Sequence, residues 1–392
     1  MSDTRASHSI RGLVALFLRL GITAFGGPAA HIALMKQEVV ERRKWLSQSE
    51  YLDIVGAVGL IPGPSSTEVA MHIGFRRAGW IGLLLAGICF ITPAALMVTA
   101  LAWAYVRFGH LPQIQGILYG VKPVVIVVIF QAIIGLGRSA LKSRFLAGIG
   151  ITALAASFLG VNPLLLMLAA GFLASAPGFR LEKQKKSFLP LAALLLAISF
   201  FAAAPMIFSK YYVAANRLNL TSLFLVFLKL GSVVYGSGYV LLVFLRSELV
   251  SARGWISSTQ LLDSIAVGQV TPGPVFTTAA FIGYILMGPK GAFLAAVGMF
   301  LPAFLFVALS GRLVPLLRKS PATGRFLDGV NVAALALMAA VTWQLGHSAV
   351  RDAVTLILAI GSAFLLLRYR YNSGWLLLAA AGIGMIIQVV RK

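Results

Sequence analysis

The chain has 392 residues, 59% of them hydrophobic and only 11% charged, with a mean hydropathy of +0.92. A soluble domain carries roughly 25% charged residues, so this composition excludes a soluble globular enzyme and predicts an all-α, polytopic membrane protein. A net charge of +22 would direct a soluble chain toward nucleic acid. Here the basic residues lie mostly between apolar runs and form no stripe with interleaved aromatics, so they read as topology signals and contacts with anionic lipid.

The single cysteine, Cys89, lies in an apolar run. It allows no intrachain disulfide and has no metal-ligand spacing, and neither a metal nor a cofactor is expected. The first apolar run follows a short polar tail with Arg5 and Arg11 and reads as a retained span rather than a cleaved signal.

A helix needs about 20 apolar residues to cross the hydrocarbon core, which gives about 13 transmembrane segments. In chain order they fall near 10–34, 52–75, 79–106, 112–137, 143–160, 162–177, 187–208, 218–245, 260–287, 289–314, 325–347, 350–367 and 373–390. The pairs 143–160/162–177 and 350–367/373–390 are short and suggest tilted hairpins. The Lys/Arg bias, led by the 180–186 cluster and by Arg138, Lys142 and Arg144, places the N-terminus in the cytoplasm and the C-terminus in the periplasm. Lys36, Arg42, Arg43 and Lys44 are exceptions on the minority side.

The chain repeats itself at an offset of about 210 residues, with roughly 15 of 48 positions identical between 17–64 and 227–274. One residue removed near Gly79/Gly288 carries the match on through Pro93/Pro302 and Gly120/Gly329. The expected organisation is an N-terminal membrane repeat at 1–178, a linker with one connecting span at 179–216, and a C-terminal membrane repeat at 217–392. An odd number of spans between equivalent positions makes the repeats inverted, the architecture in which broken helices build a midplane site.

Two kinds of break recur. Phe25-Gly26-Gly27-Pro28 interrupts the first span, and Pro28 suits the first turn of a new helix. Its counterpart is Tyr235-Gly236-Ser237-Gly238, which lacks the proline. Pro62-Gly63-Pro64 is followed by Ser65, Ser66 and Thr67; Pro272-Gly273-Pro274 is followed by Thr277 and Thr278. A hydroxyl cluster after Pro-Gly-Pro predicts a helix restart whose N–H groups and positive dipole end suit an oxyanion. A plain proline kink is the structural alternative. Ser47-x-x-Glu50 and Ser257-x-x-Gln260 are capping boxes beside interfacial Trp45 and Trp255.

Charges within apolar runs complete the candidate set. Arg19, Lys229 and Lys122 would contact an anion, pair with Asp53, Asp263 or Asp328, or snorkel. Asp53 and Asp263 are expected near the interface. Glu68 follows the first hydroxyl cluster where the second repeat has Thr278, an asymmetry that suits proton coupling. The alternative is an acid favoured by a helix N-terminus. His31 and His72 read as packed or pore-lining residues rather than metal ligands.

At Phe25 to Pro28, Trp45 to Asp53 and Pro62 to Pro64, and at their partners Tyr235 to Gly238, Trp255 to Asp263 and Pro272 to Pro274, the chain resembles the chromate ion transporter family in its long two-repeat form. The resemblance implies a bacterial inner-membrane carrier that exports chromate and confers resistance to it, with sulfate as a competing oxyanion. Ser237 and Gly238 depart from the Gly-Gly-Pro pattern, so the two half-sites need not be equal. The expected energy source is the membrane potential, proton exchange through Glu68, or both. The alternatives are a sulfate or molybdate carrier of the same fold, a passive anion channel, and a membrane enzyme. The last is disfavoured because 11 acids and 5 histidines form no recognisable catalytic set. The residues are compatible with a homodimer but do not require one.

Overall fold

A computed structural model describes residues 2–175, 217–235, 238–318, 320–369, 371 and 373–390. The expected connecting span at 187–208, the 180–186 cluster, and Gly236 and Ser237 lie outside these residues. In the first repeat the helices are α1 (Ser2–Thr23), α2 (Gly27–Lys36), α3 (Gln48–Val58), α4 (Ser65–Phe108), α5 (Pro112–Ala140), α6 (Arg144–Phe158) and α7 (Pro163–Ser175). In the second they are α8 (Leu220–Val233), α9 (Leu241–Leu245), α10 (Ser258–Val270), α11 (Thr278–Arg318), α12 (Pro321–Ala349), α13 (Ala353–Arg368) and α14 (Ser373–Val390).

Among the described residues, four helical stretches are long and apolar enough to cross a membrane: Ser65–Phe108, Pro112–Ala140, Val275–Ser310 and Pro321–Ala349. The spans at 10–34, 52–75, 218–245 and 260–287 divide as expected at their glycine- or proline-containing breaks. A feature absent from the sequence pattern is a π-helical turn in each repeat, Gln37–Arg42 and Arg246–Ala252. These turns place Glu38 beside Arg42 and Arg43, and Glu248 beside Arg253. Arg43 and Arg253 then lie over the rings of Trp45 and Trp255.

Both capping boxes form. Ser47 Oγ accepts from the Glu50 amide at 3.2 Å while Glu50 accepts from the Ser47 amide at 2.7 Å. Ser257 and Gln260 repeat the exchange at 3.1 and 2.9 Å. The long helices α4 and α11 are each bent into a hairpin, at Ala78/Gly79 and at Met287/Gly288. The backbones of Gly74 and Gly82 meet across the first bend, and those of Gly283 and Gly291 across the second. A side chain at any of these four would hold the limbs apart, the small-residue logic of helix contact in a membrane.

The chain forms two compact units. One comprises residues 1–103, 197–238 and 267–314; the other comprises 104–196, 239–266 and 315–392. In the first, Leu13, Leu16, Phe17 and Leu20 lie along one face of α1 and are buried against Met35, Tyr51, Ile54, Ile73 and Phe90. Ile22, off that stripe, is exposed. Gly21 packs on the Phe90 carbonyl, and the equivalent Gly231 of α8 packs on the Met299 carbonyl.

In the second unit the expected short hairpins exchange partners. The first repeat's α6 and α7 pack on α12 of the second repeat, and the second repeat's α13 and α14 pack on α5 of the first. Gly120 sits on the Ala380 carbonyl, and Gly329 sits on the Ala170 carbonyl. These are the same contact made twice, with the repeats interchanged.

Candidate functional site

The first unit brings the four breaks together by reciprocal backbone bonds. The Gly63 amide donates to the Val234 carbonyl at 2.8 Å, and the Gly273 amide donates to the Ala24 carbonyl at 2.8 Å. Val234 is the repeat equivalent of Ala24, so each Pro-Gly-Pro is fastened to the glycine-rich break of the other repeat. Contacts that interchange in this way are what a two-fold relation between halves requires. Gly63 has φ +141° and Gly273 φ +90°. These conformations favour glycine and turn each amide toward the opposite carbonyl. A Cβ on Gly273 would strike Ala94, and one on Gly63 would touch the equivalent Ala303.

Side chains reinforce the crossings unequally. His31 Nε2 lies 3.0 Å from the same Ala24 carbonyl. A carbonyl only accepts, so Nε2 carries the hydrogen, and in the neutral ring Nδ1 faces Ser66 Oγ at 3.4 Å as an acceptor. At the other crossing the Tyr235 hydroxyl donates to the Gly59 carbonyl. His31 and Tyr235 are not repeat equivalents; the matching positions hold Leu241 and Phe25. Gly238 completes the junction; a Cβ there would lie 3.4 Å from Pro28 Cγ and 3.5 Å from the Phe276 ring.

Both predicted helix restarts occur. Gly26 is the left-handed N-cap of α2 and Pro28 lies in its first turn. Pro62, Gly63 and Pro64 are buried, and α4 begins directly at Ser65. The Thr67 and Glu68 amides bond the Pro64 carbonyl at 2.8 and 3.0 Å, so the amides of Ser65 and Ser66 lie ahead of the helical ladder. Pro272, Gly273 and Pro274 are buried too, but the restart there is a 3-10 turn, Val275–Thr277, before α11.

The hydroxyls separate the two ends. Thr277 donates to the Pro274 carbonyl at 2.8 Å and Thr278 to the Val275 carbonyl at 2.7 Å. In the first repeat Thr67 Oγ1 and both Glu68 carboxylate oxygens are buried with no hydrogen-bond partner among the described residues. Glu68 is 0% exposed.

The cations in and beside the apolar runs are placed less simply than their spacing suggests. Arg19 is held by Glu38 at 2.7 Å, a partner outside the expected set of Asp53, Asp263 and Asp328. Lys122 pairs with Asp263 at 2.8 Å, and Asp263 also accepts from the Tyr105 hydroxyl at 2.9 Å. Asp263 is 2% exposed, enclosed by these two donors. Lys142 takes Asp328 at 2.7 Å. Lys229 sits in α8 four residues before its end. Lys122 belongs to the second unit, whereas the four breaks belong to the first.

The chromate transporter family model matches residues 11–175 and 221–385, one copy for each repeat. A chromate transport protein of Cupriavidus metallidurans is 33% identical over 390 residues, covering 98% of this chain and 94% of the relative. A probable chromate transport protein of Synechococcus elongatus is 32% identical over 90% of this chain and 89% of its own length. A chromate transport protein of Pseudomonas aeruginosa is 32% identical over 90% of this chain and 86% of its own length. No solved structure matches the chain.

Proposed function

The chain belongs to the chromate transporter family, and on that premise we propose that it is a secondary carrier exporting chromate across the bacterial inner membrane. The observation that carries the reading is the pair of reciprocal bonds, Gly63 to Val234 and Gly273 to Ala24. They bring two buried helix restarts and two glycine-rich breaks into one junction. Amide groups ahead of a helical ladder, with a positive dipole end, suit a tetrahedral oxyanion.

The binding set is the junction itself: Gly26, Gly27, Pro28, Gly238, Pro62 to Thr67, Pro272 to Pro274, Thr277 and Thr278. Glu68 is the residue on which a coupled proton would sit. The interchange of contacts between halves supports a two-fold repeat; an odd span count makes it inverted, and the Lys/Arg bias puts the N-terminus in the cytoplasm. Alternating access then proceeds by rocking around the junction.

Energetics favours export. One charge crossing 100 mV is worth about 2.3 kcal/mol, so a dianion leaving an inside-negative cell gains roughly 4.6 kcal/mol per 100 mV. Uptake of the same ion would need accompanying cations. A cradle of N–H and hydroxyl donors separates chromate from sulfate only weakly, because both are tetrahedral dianions. Sulfate is therefore the competitor to test.

The test is radiolabelled chromate flux in proteoliposomes under a potassium-diffusion potential. Saturable flux that follows the sign of the potential, weakly inhibited by excess sulfate, is the expected result. Robust sulfate flux without chromate flux would assign the junction to a nutrient anion. Flux that does not saturate and shows no counterflow would make it a channel.

A further inference from the structure

The first-repeat restart combines an anion-suited helix end with an acid. Glu68 lies in the first turn of α4, fully buried, and its carboxylate folds back under the Pro-Gly-Pro segment so closely that a Cβ on Gly63 would collide with Oε1. Neither carboxylate oxygen, nor the adjacent Thr67 hydroxyl, has a hydrogen-bond partner among the described residues.

The titratable and charged groups nearby are otherwise engaged. His31 of α2 bonds the Ala24 carbonyl and faces Ser66. His72, one turn along the same helix, lies 3.3 Å from Ser310 Oγ of α11. Arg19 of α1 is held by Glu38. Asp53 of α3 and Lys229 of α8 have interactions of their own.

A dianion at this helix end and an ionised Glu68 in the same turn would gather three negative charges in a buried place, with no cation paired to the carboxylate among the described residues. A protonated Glu68 removes that repulsion and offers an O–H donor to the anion. We propose that the oxyanion and a proton on Glu68 bind together, so that each anion travels with one proton instead of exchanging against it. This deepens the oxyanion-carrier reading and rests on it.

Linkage sets the sign. If the anion favours the protonated acid, protonation favours the anion by the same factor. Exchange would need the proton to oppose anion binding, the reverse of what these charges do. The second repeat has Thr278 at the equivalent position, which limits the count to one. The loaded complex keeps one net negative charge, so the potential still drives it outward with half the electrical force acting on the bare dianion.

The experiment uses the purified full chain in weakly buffered detergent solution with a pH-indicator dye. The added probes are sodium sulfate, choline sulfate and potassium chromate. Above neutral pH the wild type is expected to take up about one proton per bound anion, with affinity tightening up to about tenfold per unit fall in pH. E68Q is expected to lose the uptake and the pH dependence, while E68D, which keeps the acid, retains both.

Proton release on binding, absence of uptake by the wild type, uptake undiminished in E68Q, or sulfate binding that requires sodium would each overturn the proposal. The wild-type signal decides even if E68Q does not fold. If the wild type binds neither anion, the carrier reading itself fails, and the proposal with it.

Discussion

The two Pro-Gly-Pro segments use the same backbone and different side chains. Gly63 and Gly273 make the same crossing bond, at the same 2.8 Å, to equivalent carbonyls of the opposite repeat. The residues just beyond the two crossings differ. After Pro274 the hydroxyls of Thr277 and Thr278 donate to carbonyls within the same turn. After Pro64 the chain presents Ser66 to His31 and leaves the Thr67 hydroxyl and the Glu68 carboxylate buried without described partners. The same crossing bond serves both halves. The side chains around it differ, and the first repeat carries Glu68 where the second has Thr278.

The shared backbone is most vulnerable at the glycines. Gly63→Ala and Gly273→Ala place a Cβ against Glu68 Oε1 and Ala94 respectively, at positive φ. Strain of roughly 1–3 kcal/mol from the backbone conformation alone, together with the overlap, is expected to abolish flux in both. Equal damage, read from folded yield and proteoliposome transport, is the signature of a shared backbone role. Loss in one variant only would mean that the crossings are not equivalent.

The acid and its counterpart are expected to behave differently. Glu68→Gln removes the pH dependence of transport, whereas Thr278→Val, which loses a bond worth about 0.5–1.5 kcal/mol, lowers flux several-fold and keeps its pH profile. Initial rates across a pH series separate the two. A flattened profile in T278V would place the ionisable function elsewhere.

His31→Ala removes a buried group that serves both Ala24 and Ser66. A cost of about 1–3 kcal/mol is expected in thermal or denaturant stability. Tyr235→Phe, which releases the Gly59 carbonyl, is expected to cost about 0.5–1.5 kcal/mol. A larger effect at Tyr235 than at His31 would reverse the inequality between the two crossings.

Much of this architecture was legible in the sequence, and the reasons are local. Gly26, Pro28 and the Pro-Gly-Pro triplets forecast helix breaks because glycine and proline act on their own backbone. Ser47/Glu50 and Ser257/Gln260 forecast caps because the partners are three residues apart. The short paired apolar runs placed the hairpins α6/α7 and α13/α14. The partners across the fold were not legible. Nothing in the residue types says that Gly63 bonds Val234, that α6 and α7 pack on α12, or that Glu38 collects Arg19, Arg42 and Arg43. Lys122 could have faced an anion or an acid, and only tertiary placement gives Asp263. The π-helical turns left no periodic signature, since one extra residue per turn is invisible in a six- or seven-residue stretch.

If the two half-sites form one composite site, the number of bound anions reveals it. Sulfate and chromate would be titrated into the purified chain, and into G63A and G273A, and the bound anions counted. One anion per chain, lost entirely in either variant, is the expected result. Two anions per chain, with each variant losing only one, would contradict a composite site.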